Sequence, residues 1–150
     1  MLYVRIKIGK EGYVINTNRI VEIVPFAYLR VVPHAPAYLT GIFNYRGETI
    51  PVIDLCQMVY GRPSEDKIST RIIIVRIGDD RLMRRIGFLV EGVLDTKKYE
   101  EGKFSATGLN LANGEYLGRV INDDDIIMQE LDLNSLVFAE AADVVLDEIN

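Results

Sequence analysis

The run Gly41-Ile-Phe-Asn-Tyr-Arg-Gly-Glu-Thr-Ile-Pro-Val-Ile-Asp-Leu55 places the tightest constraint on this chain. Two short strands flank a reversal: Gly41 to Asn44 leads up, Arg46-Gly47 turns, and Glu48 to Leu55 returns in β-branched residues. Gly47 supplies the positive φ that a two-residue hairpin needs. Pro51 cannot donate to a ladder, so the returning strand is expected at a sheet edge, or broken at that residue. The outcome is an arginine held at the tip of a rigid turn, with an aliphatic strand and Asp54 behind it.

The rest of the chain repeats this economy of short strands and tight turns. Leu2 to Ile8 alternates in polarity, and Gly9-Lys-Glu-Gly12 reads as a four-residue loop leading into Tyr13-Val-Ile15. Arg19 to Val24 follows as a further strand, stopped by Pro25. Pro33 to Leu39 is a proline-stiffened connector, with a short helical turn expected from Pro36. Leu55 to Tyr60 is expected to form one or two helical turns ending at Gly61. Arg71 to Ile77 is almost continuously apolar, so it is expected to be buried on both faces. Gly78-Asp-Asp80 turns it, and Arg85 to Val90 and Val93 to Thr96 continue as strands. Residues 97–113 carry no clear pattern beyond a loop with one strand. Asn113-Gly114 marks a tight turn, Glu115 to Ile121 a strand, 122–125 another turn and Ile126 to Met128 a strand. Asp132 is placed to cap a helix, and the spacing from Ala139 onward predicts that the chain ends helically. Turn signals every eight to twelve residues predict a mostly β fold, a barrel or a sandwich. The polar stretch around residues 61–69 divides the strands into two halves of similar content.

Composition narrows the function. The chain has 150 residues, 49% hydrophobic and 26% charged, the balance of an ordinary globular protein. No apolar run reaches the roughly 18 to 20 residues of a membrane span, and the N-terminus lacks a signal peptide's apolar stretch. Cys56 is the only cysteine, which fits a reducing compartment. The net charge of −5 is uneven: nine of the 22 acidic residues lie from Asp123 onward, where no Lys or Arg follows Arg119. Neither part is basic enough for a nucleic-acid binder.

Reactive constellations are absent from the pattern. His34 is the only histidine, between two prolines, and no Gly-x-Ser-x-Gly elbow accompanies it. Cys56 follows Asp54-Leu55 at a strand-to-helix junction, where a helix N-terminus can activate a thiol but a small core residue is the commoner outcome. Asp123-Asp124-Asp125 offers clustered oxygens without the spacing of a calcium loop. No metal, cofactor or phosphate-cradling loop is expected.

The glycine at 41, Asn44-Tyr-Arg46-Gly47 and the proline-bearing strand ending in Asp54-Leu55 together resemble the signature segment of CheW-like domains. Ile86-Gly-Phe-Leu-Val-Glu-Gly-Val93 resembles the second half of the same family. The resemblance implies a single domain over residues 1–150, built of two SH3-like five-stranded β-barrels packed together with a groove between them. The first barrel is mostly 12–60 and the second mostly 70–130, with edge strands exchanged. Short helices and a C-terminal helical segment at 132–150 complete the picture. It also implies a non-catalytic cytoplasmic adaptor at receptor arrays, without cofactor, metal, nucleic acid or membrane insertion. Such adaptors couple the cytoplasmic tips of chemoreceptors to the regulatory domain of a CheA-type histidine kinase, in flagellar or non-flagellar pathways. By the same resemblance, the partner-binding residues are Ile20, Glu22, Gly41, Asn44, Arg46, Gly47, Val52, Asp54 and Gly87. Arg46 is expected to bond Asp54 or Glu22, or to reach a partner's carboxylate. Ile20 and Val52 are expected as apolar contacts, and Gly87 as a point of close backbone approach. Tyr45 stands where the family commonly has an aliphatic residue. The alternative is a small β-barrel that senses a low-molecular-weight effector, or a minor enzyme using Cys56 or His34.

Overall fold

The computed structural model describes residues 1–79, 82–107 and 117–136. They form a mostly β protein with two sheets, and the chain divides into two compact units, 18–93 and 1–17 with 94–150. The divider expected at residues 61–69 lies inside the first of these units. That stretch is polar and turn-prone, yet it is pinned rather than free. Ser64 donates to Asp54 through both its backbone N–H and its hydroxyl, and the Glu65 N–H donates to the buried Glu91 carboxylate at 2.8 Å.

The N-terminal hairpin, β1 (Leu2–Ile8) and β2 (Glu11–Asn16), belongs to the other unit. Its turn is two residues long, not four, because Glu11 and Gly12 enter the ladder opposite Ile8 and Lys7. Unit 18–93 holds β3 (Ile20–Pro25), β4 (Leu39–Tyr45), β5 (Glu48–Asp54), helix α1 (Leu55–Tyr60), β6 (Arg71–Asp79) and β7 (Leu82–Val90). The strand order is β3-β6-β7-β5-β4. β6 and β7 lie inside the sheet, and Ile72 to Val75 and Ile86 to Val90 are buried throughout, as the continuous apolar runs predict.

Pro51 corrects the expectation of an edge strand, since β5 lies between β7 and β4. Ile42, its partner on β4, spends both backbone groups on Arg30 instead: Arg30 N–H to Ile42 O is 2.9 Å, and Ile42 N–H to Arg30 O is 2.8 Å. The Ile42–Pro51 pair is therefore a non-hydrogen-bonded one, and the proline nitrogen points away from β4. On that other side, parallel pairing with β7 begins only at Val52. The missing donor falls just before the ladder starts.

This sheet curls. Four inter-strand spacings would hold β3 and β4 about 19 Å apart in a flat sheet, more than a tyrosine and a glutamate can span. Yet the Tyr45 hydroxyl of β4 donates to Glu22 of β3 at 2.6 Å. The concave face buries Tyr45, Ile50, Val52, Ile72, Ile74 and Leu89, with Val24, Leu29 and Phe43 against them.

In the second unit β8 (Gly92–Lys98), β9 (Ser105–Ala106), β10 (Leu117–Asp123) and β11 (Ile126–Leu131) complete a six-stranded sheet in the order β8-β1-β2-β11-β10-β9. It curls too. Lys97 on the outer strand β8 reaches Asp123 on β10 at 2.6 Å, four strands along. Asp123 is almost buried and also accepts from Tyr99 at 2.6 Å and Arg5 at 3.0 Å. Beneath lie Tyr3, Val14, Tyr99, Phe104, Ile121 and Met128. Backbone pairing closes neither sheet among the described residues. Asp132 caps the short helix α2 (Leu133–Leu136), accepting from the Ser135 N–H at 3.3 Å, while the helix expected from Ala139 and the turn at Asn113-Gly114 lie outside the described residues.

The Lys97 and Tyr99 bonds hold the Asp123 carboxyl below the ordinary carboxylate range. A folded-state value below the unfolded one means stability that is present above about pH 4 and lost as pH falls through the folded value. Asp123→Asn is therefore expected to cost about 1–3 kcal/mol at pH 7, and less at pH 3. Urea unfolding at both pH values checks this, and an equal loss at both would refute it.

Candidate partner-binding site

The Arg46-Gly47 turn joins β4 to β5 with both residues at positive φ, 51° and 84°. Tyr45 pairs with Glu48 across it, the geometry of a two-residue type I′ turn. Asn44 fastens the turn by accepting from the Gly47 N–H at 3.1 Å. A left-handed arginine costs about 1–2 kcal/mol relative to glycine, so its side chain must contribute what its backbone does not.

That contribution is visible. The Arg46 guanidinium donates to Glu22 at 2.8 Å and lies 5.3 Å from the centroid of the Tyr45 ring. Glu22 Oε1 thus receives both the Tyr45 hydroxyl and Arg46. The hydrogen bond to Glu22 raises the Tyr45 phenol above its ordinary pKa. The Tyr45 ring is buried, whereas the Arg46 side chain keeps 74% of its exposure, so the head group projects from a fixed base. Alongside, Arg85 of β7 bonds Glu48 at 3.0 Å. Of the two intramolecular partners expected for Arg46, the structure has Glu22.

Asp54 is nearly buried and engaged elsewhere. Its carboxylate caps α1, accepting from the Cys56 N–H at 3.0 Å and the Gln57 N–H at 3.3 Å, and also holds Ser64. All of these bonds are made within the chain. Val52, expected as an apolar contact, is wholly buried. A Cβ on Gly41 would stand 2.6 Å from the Arg30 carbonyl oxygen, so this glycine admits the chain's own segment. At Gly87 a Cβ would stand 2.8 Å from Ile72 Cγ2 and 3.1 Å from Val52 Cγ2, inside the core. The space beside Gly87 is filled by the chain's own side chains. Four of the nine expected residues thus build the site from within. Ile20 is half-buried on β3 beside a bulge, and Glu22, Asn44, Arg46 and Gly47 cluster at the accessible end.

A profile described as the CheW-like domain matches residues 2–140. The chain belongs to the CheW-like domain family. A probable chemotaxis protein CheW from Rhizobium etli is 29% identical over 89 residues, covering 59% of this chain and 55% of that protein. A chemotaxis protein CheW from Thermotoga maritima is 23% identical over 131 residues, covering 87% and 83%. The chain spans about half the length of the first of these relatives. In structure it is similar to the scaffolding protein TtCheW from Thermoanaerobacter tengcongensis, with a TM-score of 0.80, 24% identity, and coverage of 90% of this chain and 86% of that one.

In this CheW-like domain the residues that could carry chemistry are poorly disposed to it. Cys56 is fully buried, and burial together with the nearby Glu91 pushes its thiol up to about 11. His34 stands exposed at positive φ in a turn closed by the Ala35 N–H to Val32 O bond. Among the described residues no group of three His, Cys, Asp or Glu could hold a metal, and no helix is long and apolar enough to cross a membrane. Sequence reasoning missed the Glu48–Arg85 bond at this end of the sheet and the pairing of Arg76 with Arg85. The alternation that places Gly87 on the core face also places Arg85 there, two residues earlier.

Two outcomes follow from these positions. Gly87→Ala is expected to destabilise by about 1–3 kcal/mol through overpacking, read as a lowered Tm, with partner affinity unchanged in the folded fraction. Cys56 is expected to react with a thiol reagent at pH 8 only as the protein unfolds; immediate stoichiometric labelling of the native state would contradict its burial.

Proposed function

We propose that this chain is a non-catalytic chemosensory adaptor that couples chemoreceptors to a CheA-type histidine kinase. The observation that carries the reading is membership of the CheW-like domain family over residues 2–140, with the Asn44-Arg46-Gly47 turn intact within it. The relatives from Rhizobium etli and Thermotoga maritima are named chemotaxis proteins CheW, and the structural relative is named a scaffolding protein. An adaptor needs a rigid surface more than a reactive group, and the hairpin tip supplies one.

On this reading the regulatory domain of the kinase and the cytoplasmic tip of a receptor are the partners, and the adaptor joins receptor arrays in the cytoplasm. Glu22, Arg46 and Ile20 form the contact surface. Asn44, Gly47, Gly41, Val52, Asp54 and Gly87 hold its shape. The SH3-like barrel description is retained for both units, supported by the curling that brings Tyr45 to Glu22 and Lys97 to Asp123. The pathway served is flagellar or non-flagellar.

The test is a binding measurement with the purified kinase regulatory domain and a receptor cytoplasmic fragment from the same genome. Arg46→Ala should weaken at least one association about fivefold or more, equivalent to about 1 kcal/mol, while Tm is retained. Full affinity in the variant would remove Arg46 from the contact, and the absence of any wild-type association would end the adaptor reading.

A further inference from the structure

The concave face of the sheet in unit 18–93 does not end apolar. Ile72 and Ile74 of β6 face the core, so alternation puts Arg76 on the same face two residues on. Gly87 and Leu89 of β7 do the same, which puts Arg85 there. The unbroken register of β6 and β7 pairs Arg76 directly with Arg85. Like charges directly opposite on an antiparallel pair oppose the pairing. The pair is therefore tolerated, not selected for stability.

Among the described residues the surrounding charges do not offset it. Arg46, Arg76 and Arg85 share this end with Glu22 and Glu48 among those residues, and Arg19, which donates to the Gly78 carbonyl, adds a further positive charge. Glu22 is occupied by Arg46 and Tyr45, and Glu48 by Arg85. Arg76 is exposed, and its contact among the described residues is the Asn18 carbonyl at 3.5 Å, the outer limit of a hydrogen bond. Among the described residues, two adjacent guanidinium forks thus have one carboxylate between them.

We propose that Arg76 and Arg85 together receive a side-chain carboxylate from an acidic segment of a protein partner, beside the Arg46–Glu22 pair. A guanidinium fork matches a carboxylate bidentately, and two forks can bracket one. The flanking Glu22 and Glu48 select for a single carboxylate on a protein surface, because they repel a free multivalent anion. Arg46–Glu22 alongside presents both signs, so a docking partner must match a pattern of charge, which favours specificity and encounter rate. This rests on the adaptor reading for the partner's identity, but not for its chemistry.

The distinguishing property is opposite effects on stability and binding. Arg76→Gln relieves the like-charge pair, so Tm should rise or hold, while affinity for the kinase regulatory domain or receptor fragment falls. Arg76→Glu should lower that affinity about tenfold or more, and wild-type binding should weaken with salt more steeply than binding by Arg76→Gln. If wild type binds a partner and Arg76→Glu binds as well at every salt concentration, the inference fails while the adaptor reading stands. A second measurement is independent of that reading. Arginine Nε–Hε signals of the intact protein are followed by NMR during titration with a glutamate-rich dodecapeptide, and separately with inorganic phosphate. Peptide-induced shifts of Arg76 and Arg85 that vanish in Arg76→Gln support the site even if neither chemosensory partner binds. No shift with peptide, or equal shifts with phosphate, overturns it.

Discussion

A single carboxylate, Glu22, receives the phenol of Tyr45 and the guanidinium of Arg46, and through those bonds the two outer strands of a five-stranded sheet meet. A sheet of this size left flat would expose one apolar face. Curling lets Tyr45, Ile50, Val52, Ile72 and Ile74 bury one another without a covering layer. The same curl turns the polar ends of the strands toward one another. The interaction that holds the two outer strands together therefore also assembles a polar rim at one end of the sheet.

The other sheet solves the same problem with the same kind of device. Asp123 of β10 collects Lys97, Tyr99 and Arg5 from the far end of the pairing order, where β8 and β1 are neighbours. The difference lies in exposure. Asp123 is almost buried, whereas Glu22 keeps more than a third of its side chain open and bonds an arginine that is more open still. Burial strengthens an electrostatic contact and removes it from solvent. The first arrangement suits a structural clasp, and the second suits a contact that can be shared.

Much of this was legible in the sequence because it is local. The Arg46-Gly47 turn, α1 with its stop at Gly61, the doubly buried Ile72 to Val75 run and the Asp132 cap depend on residues within a few positions of one another. What escaped depends on pairing between distant segments. Pro51 implied an edge only if its nitrogen needed a partner, and the crossing of Arg30 against Ile42 decides that it does not. Gly87 was expected to admit a partner's backbone and Gly41 to bind a partner, but the atoms filling the spaces beside them come from Ile72 and Val52 and from Arg30. Asp54 was visible as an acid behind the turn, but its hold on Ser64 was not. The unit boundary was hidden for the same reason, since the N-terminal hairpin pairs with strands more than a hundred residues later.

The tip of the hairpin shows why stability alone does not explain this end of the sheet. Glycine or asparagine at position 46 would make the turn without the strain that arginine bears at φ 51°. An exposed ion pair returns about 0.2–1 kcal/mol and a stacked guanidinium about 0.5–1, which together only offset the backbone cost. Nearby, Arg76 opposite Arg85 brings no gain to the folded state. Two departures from local optimality within one rim, both ending in exposed guanidinium groups, have a common explanation if the rim is completed by acidic groups from another molecule. The strain then sits in the free protein and is repaid in the proposed complex, where Arg76 and Arg85 bracket a carboxylate of the partner.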